Sequence, residues 1–180
     1  MIGGHGRVCD NIGYASQEPY IINNTFRENV LMGAEYGEEW MHQVPEACAL
    51  SEDFKQFAAG DLSEIGHNGI NLSGGQKARL ELARALYLKA DVYIFDDLLA
   101  AVDARVERLI VERVLASGDI IGDKTRILVT HAEHLVPLSS SRLVLCLLST
   151  QMSTSLICRQ KLLQPATLTL NLASLPLTPS

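Results

Sequence analysis

The last part of this 180-residue chain contains no acidic residue, no glycine and no aromatic ring. All 21 acidic residues lie at or before Glu133, the last glycine is Gly122 and the last aromatic is Phe95. Residues 139–180 are mostly Leu, Ser and Thr, punctuated by Pro165, Pro176 and Pro179. Apolar residues without helical periodicity or turn signals predict a low-order tail outside the fold. A sharper reading is out-of-frame or intronic translation joined to a real domain, which comparing the transcript with the genomic frames would decide.

Other scarcities narrow the function. The net charge is −6 and no basic stripe is present, which excludes nucleic acid as the expected partner. The four cysteines, Cys9, Cys48, Cys146 and Cys158, form no CxxC pair. They read as free thiols in a reducing compartment, not as a disulfide framework or zinc site. The first six residues lack the apolar core of a secretory signal. The longest uninterrupted apolar run, residues 143–148, falls far short of the roughly 20 residues of a membrane helix. Any membrane connection is therefore expected through a partner or another part of the protein. Asn23-Asn24-Thr25 and Asn71-Leu72-Ser73 match the glycosylation pattern and, without a signal, read as coincidence.

What is present alternates between strand and helix. Residues 11–16 read as a short strand. Residues 25–31 read as a helix with a capping box from Thr25 to Glu28 and a stop at Gly33. Residues 37–50 carry helical content that Pro45 is expected to interrupt, starting a new turn. Residues 73–88 form a helix, 91–95 a buried strand, 104–115 a charged amphipathic helix and 125–130 a second buried strand. That order predicts an α/β fold with a parallel sheet core. Chemistry in such sheets sits at the carboxyl ends of the strands, where Asp96, Asp97 and His131 stand.

Ser73-Gly74-Gly75-Gln76 has two readings. Ser73 and Gln76 suit an N-terminal capping box. Alternatively, two glycines let a phosphate approach the backbone, where exposed N–H groups and a helix dipole of roughly half a charge face it. The strand ending in Asp96-Asp97 is either a solvated strand end or a catalytic pair. In the second case one carboxylate holds Mg²⁺ through water and the next orients an attacking water. His131 could reach a γ-phosphate from the neighbouring strand tip or be a structural histidine. His131-Ala132-Glu133-His134 matches neither HExxH nor HxxEH, so it is not read as zinc-binding.

Leu72-Ser73-Gly74-Gly75-Gln76 resembles the ABC signature motif, and Val92 to Asp96 resembles Walker B. Ala100-Ala101-Val102-Asp103 is similar to the D-loop, with Ala100 where serine is usual. His131 matches the switch histidine and Gln17 the Q-loop glutamine, while Glu64 resembles an exporter-type loop that contacts transmembrane helices. Order and spacing agree over residues 6–137. Residues 124–131 and the Asp96-Asp97 pair resemble the first nucleotide-binding domain of subfamily C, multidrug-resistance-protein-like exporters.

The resemblance implies a partial P-loop NTPase fold. Its core remnant is 1–17, its helical subdomain carrying the signature 18–88, its core α/β part 89–138, and its tail 139–180. It implies ATP and Mg²⁺ as cofactors. Asp97 and His131 would be catalytic, and Gln17, Ser73, Gly74, Gly75, Gln76, Asp96 and Asp103 would bind nucleotide. Asp96 and Gln17 would hold Mg²⁺ through water. Implied partners are a second nucleotide-binding domain, bringing Walker A and ATP opposite Ser73–Gln76, and transmembrane domains met through the Q-loop and Glu64. The implied location is the cytoplasmic face of a membrane. An Asp at 97, one methylene shorter than Glu, implies a weak hydrolytic site. The alternatives are a soluble ABC ATPase of the translation or DNA-repair kind, or a non-enzymatic truncated product.

A P-loop, G-x-x-x-x-G-K-[ST], is absent from the sequence. Gly122-Asp123-Lys124-Thr125 has one residue between glycine and lysine and lies between a helix and a strand, the reverse of the required context. With Met1 only 16 residues before Gln17, the Walker A region is expected to have been cut away. Charge-assisted hydrogen bonds contribute about 1.5–3 kcal/mol each, so losing three phosphate contacts removes about 4–9 kcal/mol. A millimolar-to-micromolar affinity amounts to about 4–8 kcal/mol. The chain alone is therefore expected not to bind ATP measurably.

Overall fold

In a computed structural model of the protein, the structure describes residues 11–116, 120–132, 134, 135 and the backbone of 155–159. Three parallel strands form its centre: β1 (Ile12–Ala15), β2 (Val92–Asp96) and β3 (Thr125–Thr130). A fourth, β4 (Ser155–Arg159), pairs antiparallel with β3, giving the order β1-β2-β3-β4. The expected parallel core is present. The low-order tail is corrected at one place, where residues 155–159 join the sheet edge; the rest of 139–180 lies outside the described residues.

Between β1 and β2 the chain makes four α-helices: α1 (Phe26–Leu31), α2 (Glu38–Ala47), α3 (Ser51–Gln56) and α4 (Gly74–Tyr87). Between β2 and β3 runs α5 (Ala104–Ile110), which widens into π-type turns over Val111–Ala116. Thr25 caps α1 as expected, its hydroxyl accepting from the Glu28 N–H at 3.1 Å. The return half of that capping box is not formed, because the Thr25 N–H donates to Asn24 Oδ1 at 2.8 Å. The helix ends at Leu31 as expected, but its left-handed stop begins one residue before Gly33. Met32 takes the left-handed conformation (φ 45°) and donates to Glu28 O, and Gly33 follows at φ 87°.

Pro45 does not interrupt its helix. It lies inside α2, and Cys48 N–H still reaches Val44 O at 3.1 Å beyond it. Burial of Met41, Val44, Pro45 and Ala47 on one side of α2 outweighs the backbone bond that proline removes. The break falls later, at Ala49, which takes φ 56° before α3 begins.

The core lies between the sheet and α4. Tyr93 and Phe95 of β2 are buried, as are Leu80, Leu82 and Leu86 of α4. Gly13 lets β1 lie directly on that helix, since a Cβ there would stand 2.7 Å from Ala85 O. A buried ion pair lies within α4, where Arg84 Nη1 donates to Glu81 Oε2 at 2.7 Å, and Arg84 Nε ties that helix to α1 by donating to Asn29 O at 2.9 Å. Burial pushes the Glu81 carboxyl up, opposed by Arg84 and by the backbone N–H groups of Tyr20 and Ser16. It also pushes Arg84 down. Desolvation thus outweighs the attraction for both partners.

The opposite sheet face is open. Ile12 and Tyr14 are exposed, and Ile94 and Ile127, in register with Tyr14, are half-buried. Among the described residues, no helix is long and apolar enough to cross a membrane.

Candidate functional site

Two clusters gather the residues singled out by sequence. The first is the start of α4. Ser73 takes an extended conformation (φ −68°, ψ 162°), and its Oγ accepts from the Gln76 N–H at 3.2 Å. In return Gln76 Oε1 accepts from the Ser73 N–H at 2.9 Å. The box is complete on both sides, so the helix-start reading of this motif holds. It does not exhaust the motif's donors. Geometry leaves the first-turn N–H groups of Gly74 and Gly75 without an intrahelical acceptor. The Ser73 hydroxyl keeps its own proton to donate while Oγ accepts. A Cβ on Gly74 would meet nothing within 4 Å, so the approach to these donors is open. Together with the dipole of a 14-residue helix, they suit an anion.

Gly75 faces inward. A Cβ there would stand 3.0 Å from Ala101 O, which puts the segment 100–103 against the start of α4. Asp103 ends that segment and caps α5, its Oδ1 accepting from the Arg105 and Val106 N–H groups at 3.0 Å each. The Val106 bond, followed by that of Arg105, holds its carboxyl below the ordinary value.

The second cluster lies at the carboxyl ends of the strands. Asp96 closes β2, and Asp97 follows in the left-handed conformation (φ 47°, ψ 28°), its N–H donating to Val129 O at 2.8 Å. Gln17, just past β1, reaches Asp97 Oδ2 with Nε2 at 3.5 Å. Residues 80 positions apart in sequence thus meet because β1 and β2 are neighbours in register. His131 follows β3 at the same end and is exposed. Glu64 is exposed on a loop held against the start of α1 by bonds from Ile65 N–H to Asn24 O and from Phe26 N–H to Ser63 O. Like the start of α4, it lies on the helical segment between β1 and β2.

Asp96 and Gln17 carry a carboxylate and a side-chain amide oxygen at the same end of the sheet, past β2 and β1. That is the hard-oxygen donor chemistry a small divalent cation takes when waters and phosphates supply its remaining ligands.

Sequence reasoning missed three neighbours. Tyr14 donates to Asp96 Oδ2 at 3.3 Å, and its phenol is raised by burial first and then by Asp96. Register exposes the signal: Tyr14 pairs with Ile94, two residues before Asp96 on the same face. Asp53 of α3 accepts from Gln76 Nε2 at 2.8 Å, and Arg79 donates to the same carboxylate at 2.6 Å. No local pattern announces that contact, which spans 23 residues.

Comparison with known proteins agrees with this geometry. Residues 5–100 match the family model described as "ABC transporter". The chain is 46% identical over 136 residues to "ATP-binding cassette sub-family C member 2" of Homo sapiens, covering 76% of the chain and 9% of that protein. The Mus musculus protein of the same name is 47% identical over the same length. "Multidrug resistance protein mrp-7" of Caenorhabditis elegans is 52% identical over 130 residues, 72% of the chain and 8% of the relative. The chain therefore spans less than a tenth of the length of these relatives. Their kinship does not favour the soluble translation-factor or DNA-repair reading. With the signature sequence at a complete helix cap, the acidic pair at the strand tips beside Gln17, and the family match across more than half its length, this chain belongs to the ABC transporter family as a nucleotide-binding-domain segment.

Proposed function

We propose that the whole protein couples ATP binding and hydrolysis to export of a substrate across a membrane, and that this chain supplies its signature half-site. The observation that carries the proposal is the complete cap at Ser73 and Gln76 with an open approach at Gly74. In this reading the Gly74 and Gly75 N–H groups and the Ser73 hydroxyl cap the γ-phosphate of an ATP held by the Walker A of a second nucleotide-binding domain. Gln76 fixes the cap's shape, and Asp103 ends the D-loop beside it.

The strand tips serve the other half of the chemistry. Asp96 and Gln17 would hold Mg²⁺, which would supply charge neutralisation on the phosphates. Asp97 orients the attacking water, reaching it less well than a glutamate. His131 contacts the γ-phosphate. Transmembrane domains dock through the Gln17 loop and the Glu64 loop, placing the segment at the cytoplasmic face of the membrane. The division is a core remnant at 1–17, a helical subdomain at 18–88 and the core α/β part at 89–138, with 139–180 following.

The phosphate cradle itself is not encoded in this chain. Calorimetric titration of the 180-residue chain with Mg-ATP should give no measurable heat of binding. Adding a hydrolysis-deficient, ATP-loaded nucleotide-binding domain that carries Walker A should give ATP-dependent association, weakened by Gly74→Ala. Micromolar ATP binding by the chain alone, or association indifferent to ATP, would overturn the reading.

A further inference from the structure

We propose that Asp53, on α3, is a positioning residue for the signature half-site, acting through Gln76; the functional part of this inference rests on the phosphate-capping role proposed above. Asp53 is a buried carboxylate, 7% exposed. Its Oδ1 accepts from Gln76 Nε2 at 2.8 Å and from Arg79 Nη2 at 3.3 Å, and its Oδ2 from Arg79 Nη1 at 2.6 Å. Arg79 is itself tied to the first turn of α4, with Nε donating to Gly75 O at 3.1 Å. It also donates to Ala49 O, where the chain turns between α2 and α3.

The chemistry of the pair decides which way the Gln76 amide faces. An ionised carboxylate only accepts, so Gln76 must turn its NH₂ toward Asp53. Its carbonyl oxygen then faces the Ser73 N–H, which is the contact the cap requires. A flipped amide would set two acceptors against each other at Asp53 and two donors against each other at Ser73. One buried carboxylate 23 residues upstream therefore selects the single amide orientation that closes the capping box. With the box closed, the first turn that carries the Gly74 and Gly75 N–H groups is held in one arrangement.

The competing account is a salt bridge that merely ties α3 to α4. The two differ at Asp53→Asn. Asparagine keeps an acceptor for Gln76 Nε2 but loses the charge that pairs with Arg79. Hydrogen exchange of the Ser73 and Gln76 backbone amides, followed by NMR on the 180-residue chain, reads the cap directly. Asp53→Ala should speed both by about tenfold, and Asp53→Asn should stay within about threefold of the parent. Amides of residues 82–86, in the middle of α4, should hold their rates in both, which shows that the chain remains folded. On a Gln76→Ala background, Asp53→Ala should change nothing further at Ser73.

Equal acceleration in the alanine and asparagine variants, loosening of the whole of α4, or no acceleration at all would each overturn the proposal. A second measurement separates it from the reading on which it rests. Association with an ATP-loaded, Walker A-bearing domain of a sub-family C relative should weaken by about tenfold in Asp53→Ala. If the parent chain fails to associate while the exchange pattern holds, the phosphate-capping role fails and the positioning stands. If the parent and Asp53→Ala associate equally well, positioning has no functional consequence and the proposal fails.

Discussion

Gly13→Ala offers the sharpest test of how β1 is held. In an ordinary strand this exchange would stabilise, because glycine loses about 0.5–1 kcal/mol relative to alanine through backbone entropy. Here the added Cβ would stand 2.7 Å from Ala85 O and 2.7 Å from Tyr93 Cδ1. Ordinary carbon contacts lie at about 3.5–4 Å, so both approaches are short by roughly an ångström. Neither neighbour yields easily: Ala85 O belongs to the backbone of α4, and Tyr93 is 1% exposed in the core. Overpacking costs about 1–3 kcal/mol, and two fixed neighbours put this site at the upper end. Less the entropic gain, the net loss is about 2 kcal/mol, or about thirtyfold in the folding equilibrium.

A urea titration followed by far-UV circular dichroism reads that loss. With a slope of about 2 kcal/mol/M the midpoint should fall by about 1 M. Gly74→Ala is the control, because its Cβ would meet nothing within 4 Å and the midpoint should hold or rise. A Gly13→Ala midpoint equal to or above the parent's would refute the account of β1 lying on α4. Because β1 carries Tyr14 and leads into Gln17, the same variant should also loosen the contacts to Asp96 and Asp97.

Further expectations come from the buried polar groups. Glu81→Ala leaves Arg84 buried without its carboxylate and should cost about 3–5 kcal/mol in the same urea assay; a loss below about 1 kcal/mol would mean the pair is not desolvated as described. Cys48 is fully buried and its thiol is pushed well above the ordinary range by that burial. Iodoacetamide should leave it unmodified in the folded chain and label it in urea, as peptide mass spectrometry would show. The same shift sets a sign. Above about pH 8.5 the unfolded chain sheds a proton that the folded chain keeps, so stability should fall as pH rises. Replacing Cys48 with Ala should flatten that limb, and an unchanged slope would discount the burial. Glu81 acts in the same direction at lower pH: its raised carboxyl favours the folded state below the ordinary glutamate value and loses that advantage as pH rises through the folded value.

Local chemistry made much of this fold legible. The cap residues Ser73 and Thr25 mark the starts of α4 and α1, and β3 occupies residues 125–130 as its apolar run predicts. The exceptions are places where tertiary packing or an adjacent side chain prevailed. Pro45 stays helical because α2 buries its neighbours, and Met32 ends α1 because its own backbone, not that of Gly33, takes the first left-handed turn. A sheet edge recruited residues 155–159, a short apolar run that periodicity cannot assign without a partner strand. The site follows the same division. Gln17 and Asp97 were recognisable singly, but their meeting depends on strand order, and the Asp53–Gln76 contact depends on how α3 packs on α4.

The left-handed backbone at Asp97 gives the shorter acid a second meaning. A non-glycine residue held at φ 47° carries roughly 1–3 kcal/mol of local strain. Aspartate and asparagine occupy that well several-fold more often than most side chains. Glutamate would extend further toward a bound phosphate, yet it lacks the short side chain that eases this turn. In the proposed reading, the residue that would limit hydrolysis is thus also one that the turn accepts readily. Substituting Glu at 97 would add strain to the turn between β2 and the segment 100–103. If the site turns over slowly as proposed, the same short side chain that slows it is the one that fits the turn.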